Sequence, residues 1–236
     1  MSDLKGTEVT WLGHATVLVT TAAGTTILID PFIEQNPKFP KGFELPEKLD
    51  LILVTHGHFD HIGDVVPVAK KTGAPVVAMF ELAAYFGAKG VKETLPMGYG
   101  GSIVHKDVTV SMTEARHSSG IQEGDGFLYG GEPAGFVLTI ADGPVLYHAG
   151  DTSVFSDMQL IKEMYKPAFG MLPIGGNFTM DPRGAAMATK FLGLQTVLPL
   201  HWGTMPQLTG TPEELEKHLG DTGVQVVKIA PGESVR

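Results

Sequence analysis

The sequence predicts an α/β protein whose two halves pack around a pair of β-sheets, and three observations predict it. Short β-rich segments alternate with helical patterns, then run without helices, then alternate with helices again. No linker or low-complexity tract interrupts the 236 residues, an ordinary length for one large sandwich, so residues 1–236 are expected to form a single domain. Four of the expected strands end in histidine or aspartate, and in a sandwich the strand ends on one side gather at one edge.

Taken in order, Glu8 to Leu12, Thr16 to Thr20 and Thr25 to Asp30 are alternating or β-branched runs separated by Gly13-His14 and by a turn at Ala22 to Gly24. They read as a β-meander. Pro31 to Lys48 holds four prolines and three phenylalanines, a composition for a loop, and its length suggests a lid beside a substrate entrance. Leu51 to Val54 is a buried strand, Gly63 to Thr72 a helix, Ala74 to Met79 a strand and Glu81 to Gly87 a short helix. Thr94 to Met97, Ile103 to Val104, Val108 to Ala115, Phe136 to Ile140 and Val145 to Tyr147 are strands, the last two a hairpin about Asp142-Gly143. Helices over Asp157 to Lys166, Pro182 to Leu192 and Thr211 to Gly220 then alternate with strands over Phe169 to Pro173, Thr196 to Leu200 and Val224 to Ile229.

Chemistry concentrates where the strand at Leu51 to Val54 runs into His56, His58, Asp60 and His61. Imidazole and carboxylate are the ligands that zinc and its first-row neighbours accept. Side chains this close in sequence cannot all reach one coordination sphere in good geometry, so the motif favours two ions. The plainer reading is a polar turn in which Asp60 or His61 caps the following helix. Recurrence argues against it: Val108 to Ala115 leads into His117, the hairpin leads into Gly150-Asp151, and Thr196 to Leu200 leads into His201. His148 lies three before Asp151 and reads as a neighbour of the site, while His105 and His218 read as surface.

Composition narrows the partners. Cysteine is absent, which excludes disulfides, thiolate ligands and a cysteine nucleophile together. A formal net charge of −9 argues against a broad nucleic-acid footprint. There is no apolar stretch of membrane-spanning length and no basic, then apolar, leader, so a cytoplasmic protein with a small-molecule substrate is expected, its oligomeric state open.

The motif HGHFDH at 56–61 resembles the signature of the metallo-β-lactamase-fold hydrolases, and the full pattern is similar to the ascorbate-6-phosphate lactonase-like branch with its bacterial and archaeal metal-dependent hydrolases. The resemblance implies a four-layer αββα sandwich of two mixed sheets flanked by helices. It also implies two divalent metal ions, with His56, His58 and His117 on the first, Asp60, His61 and His201 on the second, and Asp151 on both. Zinc leads, and manganese, iron, cobalt or nickel suit the same ligands. Asp30 is implied as the acceptor that orients a ligand imidazole, although a turn aspartate before Pro31 is the plainer alternative. His14 and Asp60 are implied in catalysis, His14 at the substrate or leaving group and Asp60 as ligand and proton acceptor. Asn177 lies in the loop from Ile174 to Met180, whose amides could hold an anionic group, although a plain strand-to-helix loop fits equally.

The reaction so implied is hydrolysis of a small, anionic ester, lactone or phosphodiester by a water shared between the metals. The alternatives are a phosphodiesterase or nuclease acting on nucleic acid, a non-catalytic metal-binding sensor, and a redox protein on the same fold, which would bring iron and a flavin domain.

Overall fold

Leu51, Ile52 and Leu53 are wholly buried on both faces, as a strand inside a parallel array must be, and the first sheet is built around them. The computed structural model describes residues 2–236. Strands β1 (Glu8–Trp11), β2 (Val17–Thr20) and β3 (Thr26–Ile29) form the expected antiparallel meander. To β3 the chain adds β4 (Leu51–Leu53), β5 (Val76–Met79) and β6 (Thr94–Met97), all parallel, with Ile27 opposite Leu51 and Ile29 opposite Leu53. Helices α1 (Phe59–Ile62), α2 (Val65–Thr72) and α3 (Phe80–Ala88) make the crossovers.

The second sheet runs the same logic in the second half. Antiparallel β7 (Ser102–His105), β8 (Val108–Glu114), β11 (Ala134–Ile140) and β12 (Val145–His148) precede parallel β13 (Phe169–Pro173), β14 (Thr196–Leu200) and β15 (Gln225–Val226), and β9 (Gly120–Glu123) and β10 (Gly126–Tyr129) pair only with each other. Helices α4 (Met158–Tyr165), α5 (Pro182–Leu192) and α6 (Pro212–Leu219) cover its outer face. Alternation sorts the side chains: Phe136, Leu138, Leu146 and Met171 face the other sheet, while Val137, Tyr147, Leu172 and Val197 face the helices. The result is the predicted sandwich of two mixed seven-stranded sheets flanked by helices. Truncating Leu51 or Leu138 to alanine would cost about 2–5 kcal/mol, the usual range for a buried leucine.

Three local expectations change. The helix expected from Gly63 to Thr72 forms as α2 from Val65, but the one-turn α1 precedes it, with the break at Asp64, which turns back to accept from the amides of Ile33 (2.6 Å) and Glu34 (3.2 Å). The strand expected over Val224 to Ile229 shrinks to β15, after which the chain leaves this sheet. It crosses to the other sheet, where β16 (Ser234–Val235) pairs with β1, Val9 opposite Val235. The hairpin β9–β10 has no counterpart among the expected strands. None of the described helices is long and apolar enough to cross a membrane.

Candidate metal centre

Every ligand candidate is carried by the segment that follows a strand, four from the first sheet and three from the second. His56 and His58 follow β4, with Asp60 and His61 in α1; His117, Asp151 and His201 follow β8, β12 and β14. All seven converge on one edge, in groups whose ligand atoms lie within 4.8 Å of one another.

The first group is His56, His58 and His117. His58 Nδ1 stands 3.0 Å from His56 Nε2 and 3.3 Å from His117 Nε2. Two imidazole nitrogens on one tetrahedral cation stand roughly 3.3 Å apart, given Zn–N bonds of about 2.0–2.1 Å, so the spacing is that of a ligand set. The second group is Asp60, His61 and His201, joined by His14. Asp151 lies between them: its Oδ2 is 3.1 Å from His201 Nε2, 3.4 Å from His61 Nε2, 3.7 Å from His117 Nε2 and 4.0 Å from His56 Nε2.

Hydrogen bonds behind the rings decide which nitrogen faces inward. Asp30, buried, accepts from His61 Nδ1 at 2.7 Å and from the Thr55 amide at 2.8 Å and hydroxyl at 2.7 Å. The Thr55 hydroxyl, having donated to Asp30, accepts from His56 Nδ1 at 3.0 Å. One carboxylate therefore sets the tautomer of two rings, leaving both Nε2 lone pairs free to coordinate. Ser118 Oγ meets His58 Nε2 at 3.1 Å, which frees Nδ1 in the same way. His14 Nε2 donates to Asp60 Oδ2 at 2.9 Å.

Backbone geometry at the site is costly. His14 (φ 56°), Asp30 (φ 48°) and His201 (φ 56°) all occupy the left-handed region that non-glycine residues avoid. Gly150 (φ 61°) is required where it stands, because a Cβ there would lie 2.5 Å from the Ala134 carbonyl. Its turn aims Asp151, and His148 locks it, donating from Nε2 to Ala15 O and accepting from the Gly150 amide at Nδ1, each at 3.1 Å. Both His148 nitrogens are thus in use, which explains why it is no ligand. His105 is half-buried at the end of β7 and His218 is exposed on α6.

The charges suit cations. Burial pushes His56, His58 and His117 below the usual imidazole range, so they are neutral and ready to ligate. Burial opposes ionisation of Asp60 and Asp151 too, but His61 and His14 outweigh it for the first, and His201 and His61 for the second, holding both carboxyls well down. Burial likewise pulls His201 down, and Asp151 overcomes it, raising the ring to about 9; His61 is raised by Asp151 and Asp30 against the same burial. His61 Nε2, His201 Nε2 and Asp151 Oδ1 are buried with no hydrogen-bond partner among the described residues. Buried polar atoms left without a partner inside these His/Asp groups are what a cation would satisfy, so the residues present fit a pair of metal ions.

The cavity over this centre, about 260 Å³, is lined by His58, Phe59, Asp60, Gly120, Gln122, Phe127, Asp151, Phe178, His201 and Met205. Asn177, expected at substrate, is exposed and not part of this wall; its neighbour Phe178 is. The amides of its loop are spent internally: Phe178 and Thr179 donate to Gly176 O, Met180 donates to Thr152 O, and Asp181 caps α5 through the Gly184 amide. Nor does Pro31 to Lys48 line the cavity, because Phe32 is buried edge-on to His14 (5.6 Å) and Phe59 (6.0 Å) and the loop packs outward from there. The entrance belongs instead to the β9–β10 hairpin. Its signal was the Gly124-Asp125 turn between two β-prone runs.

Comparison with known proteins agrees with this geometry. Residues 25–202 match the family described as the Beta-lactamase superfamily domain. The chain is 49% identical to a UPF0173 metal-dependent hydrolase of Koribacter versatilis, covering 98% of this chain and 99% of that one, and 48% identical to one of Rubrobacter xylanophilus, covering 98% and 97%. Its fold superposes on Igni18, a metallo hydrolase from the archaeon Ignicoccus hospitalis, with a TM-score of 0.85 at 34% identity over 97% of both chains. With two clusters of metal ligands at the strand ends of this sandwich, the chain belongs to the metallo-β-lactamase superfamily and is one of its metal-dependent hydrolases, closely related to the UPF0173 family.

Proposed function

We propose that residues 1–236 act as one hydrolase domain that cleaves a small ester, lactone or phosphodiester. The observation that carries this reading is the position of Asp151 Oδ2, within 4.0 Å of four histidine nitrogens drawn from both ligand groups. His56, His58 and His117 would hold one divalent cation, Asp60, His61 and His201 the other, and Asp151 both, with zinc favoured among the metals such ligands take. When bound, such a pair supplies an acidified water as nucleophile and offsets the charge that grows on the attacked group.

The chain's own groups do the rest. Asp30 and Thr55 keep His61 and His56 in the ligating tautomer. We assign Asp60, which lines the cavity, as the group that receives the proton the water gives up, and His14 fixes its Oδ2. No lysine or arginine among the described residues lines the cavity, so any negative charge on the reacting group would be met by the cations alone. Metal analysis with assays on lactones, phosphodiesters and β-lactams tests the reading, with His58→Ala as control. Turnover that vanishes with His58→Ala is expected. Turnover unchanged in that variant would reject the centre, and two bound metals without turnover of any class would favour the sensor.

A further inference from the structure

The metal ligands say what can be attacked, and the remaining wall of the cavity says what else the substrate carries. Three phenyl rings meet there from three separate elements, Phe59 in α1, Phe127 in β10 and Phe178 in the loop between β13 and α5. They are 49%, 73% and 53% exposed, a concentration of apolar surface left in water at the mouth of a polar centre. Phe59 is braced edge-on by the buried Phe32 at 6.0 Å, so its ring is positioned rather than loose. Beside the metal-facing groups, Gln122 is the one polar side chain in the wall.

Basic groups nearby are directed elsewhere. Arg116, next to His117, pairs with Glu114 at 2.8 Å and lies over the Phe155 ring. Lys89 pairs with Glu123 of the hairpin, and Lys38 lines a separate cavity beside Trp11 and Trp202. A charged group placed among the three rings would lose its water and find no counter-ion, whereas an apolar one would cover surface that is now exposed. At about 260 Å³ the space lies at the small end of ligand sites and admits one modest group.

We infer that the part of the substrate away from the scissile bond is an uncharged aryl or branched alkyl group held by Phe59, Phe127 and Phe178. This rests on the dinuclear reading of the centre and adds the chemical class of the group beside it. An acyl group with a free carboxylate or a sugar phosphate would be poorly held.

The test uses zinc-loaded protein and hydroxamates, which chelate the metal pair and project a tail into the cavity, with dissociation constants from calorimetry. Benzohydroxamate should bind about tenfold or more tightly than the monohydroxamate of succinic acid. Phe127→Ser and Phe178→Ser, both at exposed positions, should together bring that ratio below about threefold while leaving tail-free acetohydroxamate unchanged. A succinyl tail that binds as well as the phenyl tail, or a ratio that survives both substitutions, would overturn the inference. Acetohydroxamate failing to bind would instead overturn the metal centre itself and this inference with it, so the two failures are told apart.

Discussion

The His201 amide donates to the His14 carbonyl at 3.0 Å, and the two rings stand 3.9 Å apart centroid to centroid. Both residues hold φ at 56°, a conformation costing about 1–3 kcal/mol that persists only where the surroundings impose it. Here Trp11 Nε1 donates to the same carbonyl at 3.0 Å, so the two strained residues, from different sheets, are pinned at one oxygen.

Asparagine tolerates the left-handed region, so His14→Asn should keep the backbone in place while losing the bond to Asp60 and part of the packing of a buried ring. We expect kcat/KM to fall about 10- to 100-fold, the usual cost of losing a partner of a metal ligand. His14→Ala should be less stable than the parent, because a wholly buried ring is removed. Full activity in His14→Asn would remove the residue from the mechanism.

Asp30 accepts from His61 and twice from Thr55, and no water reaches it. Asp30→Asn sets an amide NH2 against donors, so a loss of about 1–3 kcal/mol is expected, with cation affinity down about 10- to 100-fold. Both are read from denaturation with and without zinc. A variant as stable and as tightly loaded as the parent would contradict the tautomer argument.

Metal uptake should release protons. In the metal-free chain His201 is raised to about 9, so at neutral pH it must lose a proton to ligate. Affinity for the second cation should therefore rise with pH as His201, and His61 beside it, give up their protons, which calorimetry in buffers of different ionisation heat would measure. The same shift stabilises the metal-free fold below pH 6.5, and that contribution is lost as pH rises through about 9. Asp60 and Asp151, held low, contribute above 3.8 and lose their contribution only in acid. A pH-independent affinity from 6.5 to 9 would mean that His201 is neutral before the metal arrives.

Gly150→Ala forces a Cβ to within 2.5 Å of the Ala134 carbonyl at φ 61°. The backbone must move, carrying Asp151 with it. A loss of stability of at least about 1–3 kcal/mol and of one bound cation is expected, by thermal denaturation and metal analysis.

How much of this was legible in the sequence follows from what each residue packs against. β4 could be read because both faces are buried, and its neighbours in the metal cluster because histidine or aspartate recurs after four separate strands. The β9–β10 hairpin could not, since Gly126 to Tyr129 are exposed on both faces and leave no core-facing alternation to detect. Asn177 sits in a loop whose amides the sequence offers to an anion, whereas the folded chain engages those of Phe178, Thr179 and Met180 and places Phe178 in the cavity wall. Thr55 went unnoticed as the link from Asp30 to His56, a relation that exists only after β3 and β4 pair.

His56, His58, Asp60 and His61 issue from one sheet, and His117, Asp151 and His201 from the other, so neither half of the molecule owns a finished coordination sphere. Ions bound only at the assembled edge would act as rivets between the layers, with the carboxy-terminal crossing from β15 to β16 as a second fastening. The work needed to pry the layers apart is thereby tied to the free concentration of the metal, and scarcity would loosen this protein as well as silence it.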